Sequence, residues 1–210
     1  MTHYSTLNKI IVRFHAQNDS FLLIPNENVN SRDIYLDKLE DVHHSGIMDI
    51  TVKQHGPNIH NGHLSLGKDR FPCALGRAGI LANKKEGDGG TPAGIWKIQD
   101  CWFRYDKWLS PPLHLPSHVI TKTSGWSDDP NDPDYNCPVT LPHVFSHEKL
   151  WRSDDQYDVV ITLNHNTMPA IPGAGSAIFF HLAKPDYSPT ERVRCDFASA
   201  HAGNFAATDT

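Results

Sequence analysis

One histidine and one cysteine, His181 and Cys195, stand fourteen residues apart toward the end of this 210-residue chain. His181 sits near the end of an apolar run, Ser176-Ala177-Ile178-Phe179-Phe180-His181-Leu182, just ahead of the Pro-containing stretch 184–190. In a strand the side chains alternate faces, so Ala177, Phe179 and His181 share one face and Ile178, Phe180 and Leu182 the other. A histidine placed this way is either a hydrogen-bonded core residue or a base at the mouth of a site. A Cys–His pair is the minimum for thiolate catalysis, because the imidazole takes the thiol proton and the thiolate attacks. The spacing alone leaves both readings open.

Other chemistry is less favoured. The cysteines Cys73, Cys101, Cys137 and Cys195 contain no Cys-x-x-Cys pair, which excludes zinc-ribbon spacing and leaves free thiols as the expectation over two disulfides. His143 and His147 have the i, i+4 spacing of helix-borne zinc ligands. They follow Pro142 and lack a Glu directly after the first His, so no metal site is expected. The loop Gly87-Asp88-Gly89-Gly90-Thr91-Pro92-Ala93-Gly94 lacks the Lys-Ser/Thr ending of a phosphate loop. With 24 acidic against 19 basic residues the net charge is -5, which argues against nucleic-acid binding by bulk charge. No apolar run approaches the ~18 residues of a membrane span. Met1 to Phe21 alternates polar and apolar residues and shows no secretory block, so neither a signal peptide nor a transmembrane segment is evident.

The elements that would position these residues read as a β protein. With 15 Pro and 14 Gly the chain is loop-rich. Strands are expected at Lys9 to Phe14, Phe21 to Ile24, Met48 to Lys53, Ile95 to Ile98, Asp158 to Leu163 and Ser176 to Leu182. A hairpin is expected from His63–Gly67 and Arg70–Gly76 around Gly67-Lys68-Asp69. Short helices are expected around Ile34 to Leu39 and His147 to Trp151. Residues 84–94 read as an ordered loop, Pro169 to Gly175 as a tight connection, and 110–142 as long coil. Met48 is an alternative start, which would make the preceding residues a dispensable arm.

A longer pattern surrounds His181. Gly173-x-Gly175-Ser176-Ala177-Ile178-Phe179-Phe180-His181-x-Ala183-x-Pro185-Asp186-Tyr187-x-Pro189-Thr190-Glu191 closely resembles the L,D-transpeptidase catalytic domain of the YkuD type. Phe71 to Arg77, Glu86 to Gly94, Gly125 to Pro130 and Ser146 to Trp151 resemble further blocks of that family, in the same order. The resemblance runs from about Asp49 to Glu191. It divides the chain into an N-terminal extension (1–48), a catalytic domain (49–191) and an atypical tail (192–210). It implies a mainly β fold, with sandwich- or barrel-like sheets, short helices and long loops.

The implied activity is acyl transfer on peptidoglycan stem peptides, with no metal or organic cofactor. A cysteine attacks the carbonyl on the L-centre of a diamino acid, releases D-alanine and forms a thioester that an amine resolves. A histidine serves as base and backbone N–H groups hold the oxyanion. The family histidine falls on His181, and the supporting Ser/Thr falls on Thr190. Arg77, Tyr187 and Trp126 are candidate substrate contacts, Trp126 being either a surface lid or a packed turn. A cell-envelope location follows from the family role, and a cytoplasmic one otherwise.

The nucleophile block departs from the family. After Glu191 the family has Gly-Cys and an apolar residue, whereas this chain has Arg192-Val193-Arg194-Cys195-Asp196, with Val193 in the nucleophile's place. Cys195, displaced by two residues, is then the only candidate nucleophile. Alternatively, the reading frame has slipped. Arg-Val-Arg-Cys-Asp-Phe can be written CGG GTG CGT TGC GAT TTT, and dropping the first base yields Gly-Cys-Val-Ala-Ile. The small, polar residues 196–210 suit an out-of-frame end. As written, the chain is expected to have severely reduced activity or to be an inactive homologue that binds stem peptides or has a structural role.

Overall fold

The computed structural model of the chain describes residues 9–15, 47–111, 115–184 and 194–195, the first and last of these segments and residues 47–48 as backbone only. The strands are β1 (Lys9–His15), β2 (Ile47–Gln54), β3 (Asn61–Leu66), β4 (Asp69–Ala74), β5 (Ile80–Leu81), β6 (Thr91–Pro92), β7 (Gly94–Phe103), β8 (Ser117–Val119), β9 (Ser124–Ser127), β10 (Pro138–Thr140), β11 (His147–Lys149), β12 (Val159–Leu163), β13 (Phe179–His181) and β14 (Arg194–Cys195). A 3-10 turn at Asp155–Tyr157 precedes β12. The chain is mainly β, as its composition and turn residues imply.

Nine strands form one sheet in the order β13-β12-β7-β1-β2-β3-β4-β14, with β8 paired to β7. The two ends of this path meet, since Cα atoms of β13 and β14 approach within 8 Å. The sheet therefore curls toward a barrel, and residues far apart along the strand order become neighbours. β1 lies inside the sheet, antiparallel to β2 and parallel to β7. The N-terminal extension expected for residues 1–48 thus supplies a strand of the sheet. The expected hairpin is β3–β4, with Leu66 opposite Asp69 across the turn.

Apolar residues pack on both faces of β12 and β13. Val159, Ile161, Leu163, Ile178 and Phe180 join one core cluster with Val52, Leu64 and Leu75. Val160, Ala177 and Phe179 join a second with Ile120, Trp126, Leu150 and Tyr157. A strand covered on both faces reads as a continuous apolar run, and all five residues of β12 are buried. The alternation read around His181 holds: Ala177 and Phe179 fall in one cluster, Ile178 and Phe180 in the other.

Three local expectations are corrected. The coil expected over 110–142 contains β8, β9 and β10, and β10-β9-β11 form a separate three-stranded sheet. The helix expected at His147 to Trp151 is instead β11, because the backbone of Glu148 pairs with Trp126 and this pairing outweighs local propensity. Regular strand over Ser176 to Leu182 is confined to β13, since Ala177 has φ 50° and its N–H donates to the Asn136 side chain at 2.9 Å. The strand expected at Phe21 to Ile24 and the helix at Ile34 to Leu39 lie outside the described residues.

Candidate active site

His181 ends β13 and is 3% exposed. Its Nδ1 lies 3.2 Å from the Gln156 carbonyl oxygen. A carbonyl only accepts, so this contact places the proton on Nδ1 and makes Nε2 the basic nitrogen of the ring. The same carbonyl accepts from the Leu182 N–H at 3.1 Å, which fixes the end of β13 against the 3-10 turn. The Tyr157 ring meets the imidazole edge-on, at 4.8 Å between centroids and 88° between planes.

The turn behind His181 is itself braced. Asp154 caps it by accepting from the Gln156 N–H at 3.3 Å, and Arg152 donates to both carboxylate oxygens at 2.8 and 2.7 Å. The Arg152 guanidinium holds the Asp154 carboxyl below the usual carboxylate range, against the upward push of burial. That guanidinium also lies 5.1 Å from the Tyr157 ring centroid. Sequence reasoning missed Gln156 and Tyr157 as partners of His181. The available local signal was Asp154, an acidic N-cap before a short turn.

Two of the four thiols are poor nucleophiles. Burial, aided by Asp100, pushes Cys101 up to about 12. Burial also raises Cys137, with Asp134 and Asp132 adding to the effect. Both remain protonated thiols near neutral pH, and only the thiolate attacks. Cys73, Cys101 and Cys137 carry no disulfide. Cys195 lies in β14, whose backbone comes within 8 Å of the strand that carries His181. Val193, Thr190 and Tyr187 lie outside the described residues.

The glycine-rich loop 84–94 is held by Asp88, which accepts from Lys84 Nζ at 2.5 Å, Gly90 N at 2.8 Å and Lys85 N at 2.7 Å. Burial alone would raise Asp88, but these donors win and hold it below the ordinary carboxylate range. Thr91 Oγ1 accepts from Gly76 N at 2.9 Å, and a Cβ on Gly76 would meet Gly89 O at 2.3 Å. The loop thus lies backbone to backbone on the end of β4. Arg77, Lys84, Glu86 and Ser176 line an open polar pocket beside it. Arg77 is exposed and donates from Nη2 to Gly87 O at 3.2 Å.

Trp126 takes the packed alternative rather than the surface lid. It is 7% exposed, stacks edge-on against Phe179 at 5.0 Å and donates from Nε1 to Asn136 Oδ1 at 3.0 Å. Little of its surface remains for a ligand. Ser127, Asp132 and His143 also come together, with Ser127 Oγ at 2.5 Å and His143 Nε2 at 2.6 Å from the same Asp132 oxygen. The histidine therefore bonds the carboxylate and not the serine hydroxyl, and the set clamps a loop without activating Ser127. No group of three or more His, Cys, Asp or Glu suited to hold a metal ion occurs among the described residues.

The model of the L,D-transpeptidase catalytic domain (YkuD) matches residues 59–200. The chain belongs to this family. The match includes β3 to β14, with His181 and Cys195 inside it. Neither a curated protein nor a solved structure matches the chain. The YkuD family acts on peptidoglycan peptides. No helix among the described residues is long and apolar enough to cross a membrane.

Proposed function

We propose that the chain is an L,D-transpeptidase-type acyltransferase of the cell envelope, acting on peptidoglycan tetrapeptide stems. His181 is the general base and Cys195 the nucleophile. In the reaction His181 Nε2 takes the Cys195 proton, the thiolate adds to the L-centre carbonyl, and D-alanine leaves with a proton returned from the imidazolium. An amine of a second stem then attacks the thioester. Thr190 supports the nucleophile. Arg77 and Tyr187 contact the substrate, Arg77 through a carboxylate. Trp126 contributes by packing under Phe179, next to the strand that carries His181.

The observation carrying this reading is the curl of the sheet, which brings the backbone of β14 beside β13, together with the Nδ1 contact that leaves Nε2 basic. Activity is reduced relative to a Gly-Cys enzyme, because a reacting atom misplaced by roughly 1 Å can cost about 10²-fold. The test is release of D-alanine from a tetrapeptide stem in the presence of an acceptor amine. Release that Cys195→Ala abolishes supports the reading. Stem binding without release, unchanged by Cys195→Ala, supports an inactive homologue.

A second reading is favoured by Val193 in the nucleophile's place. A single-base insertion near codon 192 would convert Gly-Cys-Val into Arg-Val-Arg. Resequencing the locus tests it: an in-frame Arg192 codon in the gene rejects the insertion as a sequencing artefact. An in-frame arginine at the corresponding position in close relatives rejects it as a mutation.

A further inference from the structure

The pairing of β14 with β4 sets Cys195 opposite Cys73, and the pairing of β4 with β3 sets Cys73 opposite Gly62. Residues directly opposite in an antiparallel pair share a face. Their Cα atoms lie about 4.5 or 5.5 Å apart, depending on the kind of pair. A disulfide spans Cα separations of roughly 4.4–6.8 Å, so either kind of pair falls within its reach. Two of the chain's four cysteines therefore occupy one rung of the sheet.

Cys73 is a free thiol and only 2% exposed. Its sulfur lies over Gly62, where an added Cβ would come within 2.9 Å of Sγ. Gly62 thus leaves room for the reduced thiol on the β3 side of β4. Rotation about χ1, between staggered wells, is the movement that frees Sγ from that position.

We propose that Cys73 and Cys195 form a reversible redox pair, a modification site in which a cross-strand disulfide replaces two free thiols. The oxidant is a low-molecular-weight disulfide such as oxidised glutathione. Because Cys73 is buried, the first attack falls to Cys195. Its thiolate attacks one glutathione sulfur, one glutathione thiolate leaves, and a mixed disulfide forms. The Cys73 thiolate then attacks the Cys195 sulfur and expels the second glutathione. Two protein thiols and one oxidised glutathione give one protein disulfide and two reduced glutathiones, which balances both electrons and protons. The proposed bond is argued from register and Cα reach alone. Its consequence, loss of acylation while Cys195 is tied up, rests on the reading of Cys195 as nucleophile, which requires β14 to turn Cys195 from the face of Cys73 to the opposite face, that of His181.

The experiment equilibrates the full chain in glutathione buffers of graded redox ratio, traps thiols with N-ethylmaleimide after acid quench and maps peptides by mass spectrometry. The expected result is a Cys73–Cys195 linked peptide in oxidising buffer, reversed by dithiothreitol, with Cys101 and Cys137 alkylated throughout. Cys73→Ala should stop at a glutathione adduct on Cys195. A Cys73 that stays alkylatable at every ratio while wild-type Cys195 accumulates glutathione overturns the proposal, as does a link from Cys195 to Cys137. Carbapenem labelling of the same samples separates the two readings. The linked chain should label no more than Cys195→Ala, with labelling restored on reduction. A link that forms in a chain that never labels preserves the redox pair and rejects the nucleophile.

Discussion

Asn136 is a side chain whose removal should cost this fold a great deal for its size. It is 5% exposed and satisfies four partners at once. Its Oδ1 accepts from Trp126 Nε1 at 3.0 Å and Ala177 N at 2.9 Å, and its Nδ2 donates to His165 O at 3.1 Å and Asn166 O at 2.8 Å. Asn136→Ala leaves two buried N–H donors without an acceptor, at about 1–3 kcal/mol each. The two carbonyls lose a donor at smaller cost, since each has a second lone pair. Residue 136 has φ 60°, and alanine in that left-handed conformation adds about 1 kcal/mol. The expected loss is therefore about 3–7 kcal/mol, a large part of the ~5–15 kcal/mol that holds a typical domain together. With a urea m-value of about 2 kcal/mol/M, the midpoint should fall by at least ~1.5 M, read by tryptophan fluorescence and circular dichroism together. A loss below about 1 kcal/mol with the fold intact would refute the reasoning, because it would mean that water or a rearrangement satisfies these groups. Asn136→Asp adds a sharper control: it keeps acceptors for Trp126 and Ala177 but turns a carboxylate toward two carbonyls. Its deficit should shrink as pH falls and the new carboxyl takes up a proton.

Further tests address the charged groups and the glycine loop. Burial raises the Asp158 carboxyl to about 6, with Arg104 Nη1 4.0 Å away. The folded state therefore holds this proton more tightly than the unfolded chain, and the stabilisation present at low pH is lost as pH rises from about 4 through about 6. Asp158→Asn should flatten that decline and raise stability at pH 7 by on the order of 2 kcal/mol, measured by urea titration across pH. His165 behaves oppositely: burial lowers it, so its contribution is full above the unfolded value of about 6.5 and falls below it. His165→Phe should remove part of any loss of stability on acidification from pH 7. Gly76→Ala should destabilise the fold by several kcal/mol in thermal melts, since its Cβ would meet Gly89 O at 2.3 Å, well inside contact distance; an unchanged melting temperature would show that the loop can move away freely.

The strands with dense β-branched or alternating patterns were legible in the sequence, β1, β2, the β3–β4 hairpin and β12 among them. Their hydrophobic period reports burial directly. The second sheet was not legible, because β9, Ser-Gly-Trp-Ser, has no such period and is defined by backbone pairing to β10 and β11. Asn136 was hidden for a similar reason. It lies in a Pro- and Asp-rich stretch that reads as coil, while its four partners come from residues 126, 165, 166 and 177. At the site, the type and face of His181 were readable, but the Gln156 carbonyl that selects its tautomer was not. A backbone acceptor leaves no trace in side-chain identity. Nor could the sequence show that β14 lies beside β13, since that contact depends on the curl of the whole sheet.

The most direct test of the account is intact-mass measurement of the reduced chain after incubation with a carbapenem, a strained β-lactam that acylates a competent thiolate. The account predicts a single covalent adduct, mapped to Cys195 and absent from both Cys195→Ala and folded His181→Ala. An adduct that persists in Cys195→Ala, or no adduct on the folded and fully reduced wild-type chain, would contradict it.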